Sequence, residues 1–134
     1  YFEQLAYRLD SYGLGIVWIG GPEDAALNGR LASKIGIDAT GSFTILELAE
    51  LGKKANFAVT NDSGPMHILS ASGIPVFGLF GPSSKQKNHA LGQKDRALAV
   101  VEDWNPSLCP SQTSLSCLSL DTVIYKISEN NLLP

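Results

Sequence analysis

The residues best able to do chemistry lie together in Asn61-Asp62-Ser63-Gly64-Pro65-Met66-His67. A carboxylate, a hydroxyl, a glycine and an imidazole share seven positions. His67 stands four residues after Ser63, so the two can share one helix face. Three chemistries compete for this cluster. In the first it is structural: Asp62 or Ser63 caps a helix, and His67 is a partly buried imidazole with a satisfied partner. In the second Ser63 is a hydrolase nucleophile. That elbow needs glycine two residues before and two after the serine, and Asn61 and Pro65 stand there instead. In the third the corner grips a phosphate and its sugar. The N–H groups of Ser63 and Gly64 would meet phosphate oxygens, and His67 would add a donor.

Two further corners resemble this one. Gly21-Pro22 and Gly81-Pro82, like Gly64-Pro65, each follow an apolar run. Proline at the first helical position loses no needed N–H, and glycine lets a ligand approach the backbone. Ligands of open α/β sheets bind at the carboxyl ends of the strands, where all three corners would fall in one parallel sheet. The competing reading is that Gly-Pro only punctuates turns.

The elements that must carry these corners follow from periodicity. Phe2, Leu5, Ala6 and Leu9 repeat at helical spacing over residues 1–12. Ile16-Val17-Trp18-Ile19 reads as a strand buried on both faces. A helix is expected over 23–35, with Glu23 and Asp24 in its first turn. Residues 36–41 have little helix character. Thr44-Ile45-Leu46-Glu47 is a capping-box sequence, and its helix runs to about Ala55. Further strands are expected at 57–60, 75–80 and 97–101, with a helix from Gly64 to about Ser72. Residues 83–95 read as loop and 103–120 as irregular. Asp121 is expected to cap a last helix ending near Glu129. Strands alternating with helices imply right-handed βαβ units and a parallel sheet covered by helices on both faces, as one α/β domain over 1–134.

Composition bounds the partners. The chain has 134 residues, 44% apolar and 17% charged, which suits one globular domain with a core. Its net charge is −3, and no Lys/Arg stripe forms, so nucleic acid is not an expected partner. No apolar run reaches the roughly 18 residues of a membrane span. Cys109 and Cys117 are too few for a disulfide scaffold and do not have zinc-ribbon spacing, so ordinary reduced thiols are expected. No carboxylate cluster for Mg²⁺ is seen, and no metal or other cofactor is expected. The chain opens on Tyr1-Phe2-Glu3-Gln4-Leu5, which reads like the interior of a helix and of a longer protein.

Asp62-Ser63-Gly64-Pro65-Met66-His67, Ala71-Ser72-Gly73-Ile74-Pro75-Val76 and Leu79-Phe80-Gly81-Pro82-Ser83, in that order, resemble the signature of glycosyltransferase family 9, the ADP-heptose:lipopolysaccharide heptosyltransferases. Gly20-Gly21-Pro22-Glu23-Asp24, Gly41-Ser42-Phe43 and Leu46-Glu47-Leu48-Ala49 also fit. Cys109-Pro110 and Cys117-Leu118 look more like the heptosyltransferase II branch. The resemblance implies a two-domain GT-B fold with two Rossmann-like α/β domains, of which this chain is the carboxy-terminal, donor-binding one. It implies that Asp62, Ser63, Gly64 and His67 hold the diphosphate and heptose of ADP-heptose. Asp24 would bind the adenosine ribose, and the backbone at Phe43 would contact the adenine. The catalytic base, a diphosphate-gripping lysine and the lipopolysaccharide acceptor site would lie outside this chain. The resemblance further implies a cytoplasmic location, with peripheral contact at the inner face of the inner membrane.

One segment departs from the pattern. After Phe80-Gly81-Pro82 the family has Thr-Asp-Pro and a Gly-Pro-Tyr-Gly-like turn, where this chain has Ser83-Ser84-Lys85-Gln86-Lys87-Asn88-His89. Lys85 and His89 read there as solvated loop residues. The departure leaves open another GT-B transferase or an epimerase with a different nucleotide-sugar donor. A non-catalytic binding module is the remaining alternative.

Overall fold

A computed structural model describes all 134 residues. The chain divides into two compact units, residues 1–47 with 133–134, and residues 48–132. In both, the strands pair in parallel and helices flank them.

The first unit begins with α1 (Phe2–Asp10), whose Leu5, Ala6 and Leu9 are buried at the expected helical spacing. Two short strands follow, β1 (Val17–Trp18) and β2 (Ile37–Asp38). They pair in register, Val17 with Ile37 and Trp18 with Asp38. Strand β2 falls where only a stretch of little helix character was expected. Its signal is two residues long, and it stands beside Gly36, which takes a left-handed φ of +86°. Val17 and Ile37 are 46% and 67% exposed, so the apolar run at β1 is not buried on both faces. A 3-10 turn (Pro22–Asp24) leads into α2 (Ala25–Ala32), which is shorter than the helix expected over 23–35. Buried Asn28 on α2 donates to Ile19 O (3.2 Å) and Thr40 Oγ1 (2.9 Å). It thereby ties that helix to the ends of both strands.

Helix α3 (Ile45–Lys54) starts as its sequence demands. Thr44 N donates to Glu47 Oε2 (2.7 Å), and Glu47 N donates to Thr44 Oγ1 (3.3 Å). These are the two reciprocal bonds of a capping box.

The second unit is a three-stranded parallel sheet of β3 (Ala58–Asn61), β4 (Val76–Phe80) and β5 (Leu98–Ala99), in the order β3-β4-β5. Every residue of the central strand is buried, and Val76, Phe77, Leu79 and Phe80 anchor the core. Helix α4 (Gly64–Ala71) connects β3 to β4 and packs on both. Gly52 of α3 faces α4's carboxyl end, where a Cβ would collide with Ser72 Oγ. Buried Gln93 accepts from Val76 N (3.0 Å) and donates to Ile74 O (3.1 Å) and Ser70 Oγ (3.2 Å). One side chain thus satisfies backbone groups at the entrance to the central strand.

The segments expected as loop and irregular contain short helices, α5 (Lys85–Asn88) and α6 (Pro110–Thr113). They have four residues each, too few for a hydrophobic period to register in sequence. The last helix, α7 (Leu120–Glu129), is capped by Ser119, whose hydroxyl accepts from Asp121 N (3.2 Å). Asp121, expected as the cap, instead lies in its first turn. Cys109 and Cys117 are free and exposed. No helix is long and apolar enough to cross a membrane.

Candidate functional site

The corner after β3 forms because its residues disagree with both neighbouring periods. Strand β3 ends at Asn61, Gly64 and Pro65 open α4, and Pro65 needs no N–H there. Ser63 is the N-cap residue, with extended backbone at φ −157° and ψ 167°. Its side chain makes no capping bond; Ser63 Oγ donates to Asn61 O (3.3 Å). The capping role weighed for Ser63 is therefore filled by backbone geometry only. The first-turn N–H groups receive no side-chain acceptor.

Gly64 adds the second half of the geometry. A Cβ built there would meet nothing within 4 Å, and its φ is not in the left-handed region. Neither packing nor backbone conformation requires glycine at this position. The two other Gly-Pro corners contrast with it. A Cβ on Gly81 would collide with Thr113 O, so that glycine admits the backbone of α6. A Cβ on Gly21 would meet the Glu23 carboxylate at 2.5 Å. That carboxylate is the far end of a flexible side chain and can move, whereas at Gly64 no atom stands within 4 Å of the Cβ position. The corners also belong to two separately bonded sheets, with Gly21 following β1 and Gly64 and Gly81 following β3 and β4.

Beneath α4 lies an orphaned hydroxyl. Thr60 pairs in register with Gly78, so both face the same side of the sheet. A Cβ on Gly78 would meet Met66 Sδ at 3.0 Å, which identifies that side as the one α4 covers. Thr60 is 8% exposed, and its Oγ1 has no hydrogen-bond partner. Ser83 Oγ, just after Gly81-Pro82, is likewise buried without a partner. Buried hydroxyls ordinarily find partners, so both are exceptions at the carboxyl edge of this sheet.

Asp62, Ser63, Gly64 and His67 are thus brought together at one corner. Asp62 is half-buried and His67 exposed on α4's first turn. Asp62 Oδ2 accepts from Asn88 Nδ2 (2.9 Å), a partner that no sequence signal marked. Lys85 forms an ion pair with Glu102 (2.5 Å), and His89 Nδ1 lies 3.2 Å from Ala90 O. Neither is the solvated loop residue expected from sequence: Lys85 opens α5 and pairs half-buried with a carboxylate distant in sequence, and His89 follows that helix half-buried.

Asp24 and Phe43 lie in the first unit. Asp24 Oδ2 accepts from Gly21 N (3.1 Å), so the carboxylate folds back over the turn that follows β1. Gly41 N donates to Gly20 O (2.9 Å), and Phe43 stands two residues beyond, 39% exposed. The loops carrying Asp24 and Phe43 therefore meet at one edge of the β1-β2 pair. Nearby, Thr40 N and the Thr40 hydroxyl bond the Asp38 carboxylate and hold its pKa below the usual value. No group of three or more His, Cys, Asp and Glu side chains gathers anywhere in the chain.

Residues 1–117 match the model of glycosyltransferase family 9 (heptosyltransferase). Lipooligosaccharide heptosyltransferase 2 of Haemophilus influenzae is 26% identical over 109 residues, covering 76% of this chain and 32% of that protein. Lipopolysaccharide heptosyltransferase 2 of Escherichia coli is 24% identical over 112 residues, again covering 32% of that protein. The chain spans about a third of the length of these relatives. Among solved structures, a family 9 glycosyl transferase from Veillonella parvula superposes with a TM-score of 0.82 at 28% identity, over 98% of this chain and 40% of that one. The ADP-heptose lps heptosyltransferase II of E. coli superposes with a TM-score of 0.67 at 20% identity, over 97% of this chain and 41% of that one. The parallel sheets flanked by helices are the α/β architecture of one half of a GT-B enzyme. With its signature residues gathered at the corner after β3, the chain belongs to glycosyltransferase family 9, the heptosyltransferase family.

Proposed function

We propose that this chain is the donor-binding half of a glycosyltransferase that moves heptose from ADP-heptose to a lipopolysaccharide core. The observation that carries the reading is the start of α4, where no side chain caps the first turn and a Cβ at Gly64 would meet nothing within 4 Å. A helix N-terminus of this kind suits a diphosphate, because its N–H groups and dipole favour negative charge. Asp62 repels phosphate and is better suited to accept hydrogen bonds from sugar hydroxyls. His67, one turn into the helix, donates to a phosphate oxygen. Asp24 takes the ribose hydroxyls, and the backbone at Phe43 takes the adenine.

In the proposed reaction an acceptor hydroxyl attacks the anomeric carbon of the heptose. The bond from that carbon to the β-phosphate oxygen breaks, and ADP leaves with the electron pair. The hydroxyl proton passes to a base outside this chain. The chain's own residues stabilise the charge that develops on the leaving diphosphate. Fixed N–H dipoles do so without reorienting during the reaction, and this needs no metal.

The test uses the intact protein with a heptose-deficient lipopolysaccharide acceptor and a panel of nucleotide sugars. The expected result is transfer from ADP-heptose, unchanged by a metal chelator. Preferential transfer from another nucleotide sugar, or binding of none, overturns the reading.

A further inference from the structure

Asp62 has two carboxylate oxygens, and the structure commits one of them. Asn88 Nδ2 donates to Asp62 Oδ2 at 2.9 Å. The orientation of that amide is fixed by chemistry, since an ionised carboxylate only accepts and so must face the NH₂ side of Asn88. The bond links the loop before α4 to α5, and so joins the corners that follow β3 and β4.

Helix α5 is a held platform. Gln86 Nε2 donates to Glu102 O (2.7 Å), Lys85 pairs with the Glu102 carboxylate, and Ser84 Oγ donates to Gln86 Oε1 (3.2 Å). Asn88 N closes the turn on Ser84 O (3.0 Å), and Ser84 is buried. An exposed asparagine on a free loop would lose much of its hydrogen bond to entropy. Here the backbone that carries Asn88 is already fixed.

We propose that Asn88 is a positioning residue that orients the Asp62 carboxylate toward the sugar of the nucleotide-sugar donor. It ties down Oδ2 and leaves Oδ1 to accept from a sugar hydroxyl. This rests on the donor-site reading above. It also gives a task to the segment 83–89, where the chain departs from its family's pattern. The diphosphate binds α4's backbone and does not depend on the Asp62 rotamer, so the effect is confined to the sugar.

The experiment is calorimetric titration of the intact protein with ADP and with ADP-heptose. Asn88→Ala should weaken ADP-heptose about tenfold, the loss of one hydrogen bond to a charged group, and leave ADP within about twofold. Asn88→Asp keeps the size of the side chain but sets two carboxylates against each other, so its loss of ADP-heptose binding at pH 8 should be larger than that of Asn88→Ala. A residue that served only the fold would move both ligands together. Asp62→Ala is the control. If it loses ADP-heptose while both Asn88 variants bind like wild type, or lose ADP equally, Asn88 positions nothing and the donor site stands. If Asp62→Ala also binds ADP-heptose like wild type, the donor-site reading itself is wrong.

Discussion

Asp24 has one observed contact and one proposed task, and substitution can separate them. Its carboxylate accepts from Gly21 N, and the first unit's turn is built around that bond. Asp24→Ala should therefore weaken ADP and also loosen the turn. Asp24→Asn keeps an acceptor for Gly21 N–H while removing the charge that favours ribose hydroxyls. We expect Asp24→Asn to keep the wild-type melting temperature and to weaken ADP by about 1–3 kcal/mol in calorimetry. Unchanged ADP affinity in this variant removes Asp24 from the site. His67 makes a different prediction. If its bond to the diphosphate strengthens as ADP leaves, His67→Ala lowers kcat more than it raises KM. A change confined to KM would assign His67 to ground-state binding.

At the scale of elements, a few polar residues close strand and helix ends around the apolar core. Gln93→Leu fits the volume but strands Val76 N and Ile74 O in the core. The expected cost is about 2–4 kcal/mol in denaturant unfolding, from two unpaired buried backbone groups. A loss below that range would mean that water replaces the amide. The capping box of α3 predicts a pH dependence. The bonds from Thr44 depress the Glu47 pKa in the folded chain. A depressed carboxylate contributes stability above its unfolded pKa and loses it as pH falls through the lower folded value. Helix content lost below about pH 4 should therefore change less steeply with pH in Glu47→Gln, as read by circular dichroism.

These elements differ in how far the sequence announced them. The box at Thr44 and Glu47 and the Gly64-Pro65 helix start were legible because both are local and chemically distinctive. The burial of β4 was legible as a continuous apolar run. Strand β2 and helices α5 and α6 were not, since two to four residues carry no period. Ser119 was passed over for Asp121 because either residue type can cap, and only the backbone decides which one does. Gln93 and Asn28 are polar residues whose value lies in contacts distant in sequence. Asn88 was invisible for the same reason, being 26 positions from Asp62.

The chain as a whole spans about a third of its curated relatives and carries a net charge of −3. On the proposed reading the base and acceptor site lie outside this chain, whose acidic balance would repel an anionic lipid acceptor. The division of labour makes donor binding the central claim and Gly64 its most direct probe. A Cβ at Gly64 meets nothing of the protein itself, so Gly64→Val should leave the fold intact while filling the space that a diphosphate needs. Titration of ADP-heptose into the intact protein should show saturable binding by wild type. In Gly64→Val, with an unchanged melting temperature, affinity should fall about a hundredfold, corresponding to about 2.7 kcal/mol. A folded Gly64→Val protein that binds ADP-heptose as tightly as wild type would contradict the account, leaving the corner after β3 as the start of a helix and no donor site.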